Sequence, residues 1–228
     1  MHQNALTWLG LCCLLAACST APPTIRDEAF DDYQHTHKVV AIIPFNVAIM
    51  LKRIPDGVTM DDINQLELAE GLSFQEALYN RYLTNPQNFT VKVQAIEQTN
   101  KLLADAGIPQ TAISTYTKYE LADVLNVDAV ISGWIERSQP ITEGQAARDA
   151  TFSALALPLT LLFPGAPTNS VGVTMNIHDG GTGKLVWLFA YTMNGRYGSS
   201  SAKMAEALAD EIGEQFPYRI ANTDKAGP

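Results

Sequence analysis

The spacing of apolar positions changes several times along the chain, and each change marks an element. KVVAIIPFNV, Lys38–Val47, is a continuous β-branched run that predicts a buried strand, with Pro44 at its end or at a sheet edge because it has no N–H for a ladder. RIPDGVTMDD reads as a loop. Over Ile63–Leu83 the period becomes helical: Phe74, Leu78 and Tyr82 recur at i+4, and Leu68, Leu72 and Ala77 widen the stripe. Asp61 or Asp62 stands where a cap belongs, and NPQN stops the helix. FTVKVQAI alternates Phe89, Val91, Val93 and Ala95, which predicts a half-buried strand. IEQTNKLLADAG predicts a short helix closed by Gly107, followed by a turn at IPQTAIS. Tyr119–Leu125 then reads as helix and Asp128–Glu136 as strand.

Near the end two alternating runs flank a glycine-rich turn. Val171, Val173, Met175 and Ile177 share one face, Leu185, Trp187, Phe189 and Tyr191 another, and Asp179–Gly183 joins them as a hairpin. Ser200–Phe216 is amphipathic and predicts a closing helix through Met204, Ala207, Leu208 and Ile212. The order is β, α, β, α, α, β, insert, β, β, α. That pattern gives a single α/β domain, three-layer-like, with a mixed sheet flanked by helices.

The amino terminus has its own logic. Residues 1–17 are uncharged from Ala5 to Ala17, apolar except for Thr7, and too short to span a bilayer, which fits a signal peptide. LAAC, Leu15–Cys18, resembles a bacterial lipobox, which implies lipid on Cys18 and a membrane anchor through it. Ser19 rather than Asp follows the cysteine, and by resemblance to sorting rules this implies the outer membrane, facing the periplasm. Cys12 and Cys13 leave with the leader, so the mature chain keeps no thiol for a disulfide, a metal or a nucleophile. Residues 18–37 read as a lipidated tether, 38–216 as the domain and 217–228 as a frayed tail.

An insert at 137–170 interrupts the domain. Its first half is polar. Its second half, ATFSALALPLTLLFPGAPTN, carries no charge. Three readings stand: a helix on its own core through Phe152, Leu155, Leu159 and Leu162; a spanning strand alternating Leu155, Leu157, Leu159, Leu161 and Phe163; or a surface meeting membrane or a partner. Pro158 disfavours a ladder, and apolar residues on both faces disfavour a pore lining. The contact reading is preferred, with Phe152, Leu155, Leu157, Leu159, Leu161, Leu162 and Phe163 as its residues.

Charge and motifs exclude more than they assign. With 228 residues, 46% apolar and 17% charged, the chain is globular, and its formal charge of −9 repels phosphate backbones, so no nucleic acid is expected. GGTGK at Gly180–Lys184 lacks the first glycine and the Ser/Thr of a phosphate loop, and a strand follows it, so it reads as turn chemistry. HTH at His35–His37 beside Asp31 and Asp32 could ligate a metal, but no distant cluster completes a shell. His178 and Asp179 read as a strand-end pair. No catalytic residue, cofactor or metal site is assigned.

Three segments, taken in order, carry a family resemblance. KVVAIIPFNV with Pro44, ELADVLNVDAVISGWI with Asp128 and Gly133, and HDGGTGKLVWLFAYTMNG with Asp179, Gly183 and Trp187 together resemble a group of envelope lipoproteins. The group includes the curli-secretion lipoprotein, the Pel lipoprotein, the TolB amino-terminal domain, lipoprotein activators of penicillin-binding proteins and neisserial vaccine-candidate lipoproteins. The resemblance spans Lys38–Phe216 apart from the insert, with Asn126-Val127 standing where Gly-Ala is common in the group. It implies an anticodon-binding-domain-like fold and no catalysis. It also implies a protein that self-associates or docks on an envelope partner, acting in export or assembly of a surface component. The alternative is a regulator that docks on a cell-wall synthase, which would ask for a longer tether.

Overall fold

A computed structural model describes residues 24–51, 54, 56–139, 169–195, 207–208, 210–211 and 215–220. Its elements are β1 (Thr24–Arg26), α1 (Phe30–Thr36), β2 (Val39–Ile42), β3 (Asn46–Leu51), α2 (Met60–Thr84), β4 (Lys92–Val93), α3 (Ile96–Asp105), α4 (Lys118–Leu125), β5 (Ala129–Gln139), β6 (Asn169–Asp179) and β7 (Leu185–Gly195). They build one mixed sheet, in the order β1-β7-β6-β5-β2-β4, with β3 also on β5. The result is the expected α/β domain: an open sheet flanked by helices in an anticodon-binding-domain-like arrangement. Among the described residues no helix is long and apolar enough to cross a membrane.

Pro44 organises the centre. β2 pairs in parallel with Ala129–Ile131, and β3 pairs in parallel with Trp134–Gln139, so two short strands serve one edge of the long β5. Between them the ladder breaks, because Pro44 has no N–H to donate. The Phe45 N–H turns instead to the Gly71 carbonyl of α2, 3.2 Å away. That approach needs a glycine: a Cβ on Gly71 would sit 2.1 Å from the Phe45 carbonyl oxygen.

Burial divides at β2. Val40 and Ile42 enter a large core with Phe74 of α2, Ile131, Met175 and Trp187. Ala41 and Ile43 enter a smaller core with Leu103 of α3 and Leu121 and Leu125 of α4. Both faces of β2 are therefore covered, which is why its sequence is continuously apolar rather than alternating.

Several boundaries differ from the sequence expectation. α2 starts at Met60, and its cap is Thr59, whose hydroxyl accepts from the Asp62 N–H while the Asp62 carboxylate accepts from the Thr59 N–H; neither Asp61 nor Asp62 is the cap itself. Leu72 is exposed, and the stripe instead buries Glu70 and Gln75 beside Phe74. Gln75 is tolerated because its amide donates to the Ile42 carbonyl at 2.6 Å, where β2 ends, and exchanges bonds with Asn100. FTVKVQAI pairs with β2 only at Lys92–Val93. Its first half turns to the carboxy-terminal segment, through Thr90 N–H to the Tyr218 carbonyl and a bridge of Phe89 with Arg219.

Residues 24–37, read as tether, fold onto the domain. β1 adds antiparallel to β7, and Phe30 is fully buried against Tyr218. Tyr218 lies in the segment read as frayed tail, yet it too is fully buried, and Ile220 N–H bonds the Asn88 carbonyl. The insert is shorter than expected, because β5 runs to Gln139 and β6 starts at Asn169. Arg137 looked like the first residue of a polar loop. It is a buried strand residue, 3.4 Å from Glu70 of α2, and the ion pair makes that burial tolerable.

Candidate functional site

Three features could carry function: a buried polar network, an uncovered sheet face and an apolar cavity. The network centres on His37. Its Nε2 lies 2.9 Å from Asp179 Oδ1, and its Nδ1 lies 2.5 Å from the Tyr218 hydroxyl. A carboxylate only accepts, so Nε2 carries a proton and donates to Asp179, while Nδ1 shares a hydrogen bond with the Tyr218 hydroxyl. Burial, then the Asp179 and Asp128 charges, push the Tyr218 hydroxyl well above its ordinary range and keep it protonated. For Asp179, burial works to raise the carboxyl. Hydrogen bonds from the Thr182 hydroxyl, His37 and the Thr182 N–H outweigh it and hold the group below the usual carboxylate range.

Tyr, His and Asp in series resemble a catalytic relay in outline, but access decides against it. Tyr218 is fully buried and His37 nearly so, and both imidazole nitrogens are engaged. The trio instead ties α1, the β6–β7 turn and the carboxy-terminal segment together. Lys184 reinforces it by pairing with Asp27 at 2.7 Å. His35 and Asp31, the neighbours that suggested a metal, are exposed, and among the described residues no group of three or more His, Cys, Asp and Glu side chains is placed to hold a metal ion. His178 turns away from Asp179's network. Burial, and then nearby Lys118, lower its ring to about 4.

The signature residues occupy joints around this network. Asp128 Oδ2 accepts from the Lys38 and Val39 N–H groups at 2.7 and 2.8 Å, locking the start of β2 to β5. Gly133 lies beneath the Phe45 ring. Gly183 closes the β6–β7 turn at φ +71°, a conformation that favours glycine. Trp187 is buried and stacks on Phe189 with centroids 5.9 Å apart. Pro44 separates β2 from β3. Cys18 and the apolar residues Phe152, Leu155, Leu157, Leu159, Leu161, Leu162 and Phe163 lie outside the described residues.

The second feature is the sheet face opposite α2. α3 and α4 cover it over β2 and the start of β5. Among the described residues that cover ends beyond Ser132. The pairing register places Met50 and Ala48 of β3, Trp134 of β5, Ala190 and Leu188 of β7 and Ile25 of β1 on this one side. Trp134 is 48% exposed, Met50 55% and Ile25 61%. Sequence reading placed Trp134 on a strand but had no means to say that its side would be left bare. The hairpin reading also missed a register shift between Ile177 and His178, which buries Val186 and turns Leu185 outward. The third feature, a cavity of about 150 Å³ between α2 and the opposite side of the sheet, is bordered by Arg81 and Arg219.

No protein-family model matches the chain, and no curated protein sequence matches it. Among solved structures it is similar to the PelC dodecamer from Paraburkholderia phytofirmans, at 17% identity over 88% of this chain and 94% of that one, with a TM-score of 0.38. It is similar to lipoprotein GNA1162 from Neisseria meningitidis at 11% identity over 78% and 94%, TM-score 0.41. It is also similar to the LpoB carboxy-terminal domain from Salmonella enterica at 11% identity over 69% and 82%, TM-score 0.37. Likeness at this level carries no functional argument, which has to come from the chain's own geometry.

Proposed function

We propose that the chain is a non-enzymatic lipoprotein of the bacterial envelope, anchored by lipid on Cys18 at the periplasmic face of the outer membrane, that works by docking on a protein partner. The observation that carries the reading is the bare half of the sheet. Trp and Met are enriched at interfaces, and a face on which Trp134, Met50, Ala190 and Leu188 interleave with Thr174, Asn176 and Glu136 has the mixed make-up of a non-obligate contact surface. The insert departs from Gln139 and returns at Asn169, at the same end of the sheet as Met50. Its apolar residues Phe152–Phe163 are assigned to the same contact.

An open face asks for a partner but not for a closed ring. Docking on another envelope protein, a cell-wall synthase among them, is therefore supported more directly than assembly of an export pore. Distance narrows the choice. Residues 19–23 are all that separate Cys18 from β1. At about 3.5 Å per extended residue they reach about 20 Å, so the partner is met close to the membrane surface, and with no long tether here a synthase qualifies only if it itself extends to the outer membrane.

Photo-crosslinking in cells, with the reactive residue placed at Trp134 or Met50 and at exposed Lys101 as a control, tests the proposal. Crosslinks to a synthase from 134 and 50, absent from 101, support docking on that enzyme. Crosslinks to a second copy support self-assembly. No specific crosslink from either position refutes the surface. Cys18→Ala is expected to abolish acyl labelling and release the protein from the membrane fraction, and retention would refute the anchor.

A further inference from the structure

The cavity beneath α2 has the construction of a small-molecule site, separate from the docking face. Its floor is Ile42, Ile131 and Met175 of the sheet, and its roof is Leu78 and Tyr82 of α2 with Phe216. Well-packed interiors leave few voids larger than a water molecule. An enclosed apolar void of this size admits a guest the size of benzene; this one opens on its polar side, and its apolar end suits a body of about six carbons.

The mouth is polar and cationic. Arg81 already pairs with Asp210 at 2.5 Å. Arg219 makes no side-chain hydrogen bond or ion pair among the described residues, and the Asn85 and Asn88 amides beside it are likewise uncommitted. In a chain of net charge −9, an uncompensated guanidinium beside two amides at an apolar opening is complementary to an anion. The planar fork of arginine matches a carboxylate in two-point fashion, and an amide NH₂ can add a third bond. The frame is preformed. Arg219 N–H donates to the Phe216 carbonyl at 3.0 Å, Ile220 N–H to the Asn88 carbonyl at 2.8 Å, and Phe89 wedges between Tyr82 and Phe216 with centroids 5.3 and 5.9 Å away.

We propose that this cavity binds a free monocarboxylate with an alkyl or aryl body of about six carbons, the carboxylate on Arg219 and the body against Met175 and Ile131. The test is ligand-observed NMR of the full-length lipoprotein in nanodiscs, with hexanoate as probe, hexanol as its neutral match and empty nanodiscs as background. Hexanoate is expected to bind saturably and about tenfold more tightly than hexanol, the ratio that one partly exposed charge-assisted contact gives. Arg219→Gln removes that preference while hexanol binding stays. Leu78→Phe fills the space and abolishes both. Melting curves establish that each variant is folded. The proposal is overturned if folded wild-type protein shows no saturable hexanoate binding, if hexanoate and hexanol bind equally, or if Leu78→Phe leaves binding intact.

Discussion

Gly133→Ala should be among the costliest single-methyl additions in the molecule, and its cost should vanish when Phe45 is cut back. A Cβ at position 133 would lie 1.8 Å from Cε1 of Phe45 and 2.2 Å from Cδ1. The ring has no retreat. It is 1% exposed and packs on Phe74 with centroids 4.9 Å apart, and its backbone is pinned to the Gly71 carbonyl. Overpacking of this kind costs about 1–3 kcal/mol. Phe45→Ala by itself costs about 3–5 kcal/mol from lost burial and the cavity left behind. In the double variant the new methyl occupies vacated space, so the pair should cost about as much as Phe45→Ala alone. That leaves a favourable coupling of about 1–3 kcal/mol. Urea unfolding followed by circular dichroism measures all three variants without relying on Trp134, the neighbour of the mutated glycine. Costs that add to within about 0.5 kcal/mol would show that the two sites do not compete for the same volume, and the argument would fail.

Two further outcomes follow from the buried polar groups. Tyr218→Phe removes the partner of His37 Nδ1 and strands a buried polar nitrogen, which should cost about 1–3 kcal/mol in the same unfolding assay; a cost near zero would mean the bond is not made. For His178, the folded ring titrates at about 4 and the unfolded ring at 6.5, so below pH 6.5 the unfolded chain binds the extra proton. Stability should therefore fall as pH drops from 6.5 to about 4, by about 1–2 kcal/mol after allowance for solvent screening, and His178→Asn should flatten that part of the profile. Asp179, held below the carboxylate range, acts in the same direction at lower pH: its contribution is present above its unfolded value and is lost as pH falls through the folded one. An unchanged slope in His178→Asn would place the pH dependence elsewhere.

Much of the fold was legible because it is locally encoded. The β-branched run broken at Pro44, the helical period of α2, the glycine that ends α3 and the alternation of β6 and β7 each depend on neighbours a few residues away, and each produced its element in the expected order. Asp128, Gly133 and Gly183 stood out through the family resemblance rather than through local chemistry. What stayed illegible depends on which distant segments meet. His37 sits in a polar tripeptide that looks like a surface or a metal tag, and only its meeting with Asp179 and Tyr218, 142 and 181 residues away, makes it a core residue. Arg137 reads as loop until Glu70 supplies the countercharge. Trp134 alternates like any strand residue, and nothing in its neighbours says that α3 and α4 stop short of it. The sequence by itself determined most of the elements from β2 to β7 and their order, because propensity, periodicity and turn chemistry act over short spans. Tertiary structure alone decided which polar groups are buried, which sheet face is bare and where a cavity remains, because burial and pairing belong to surfaces assembled from remote parts of the chain.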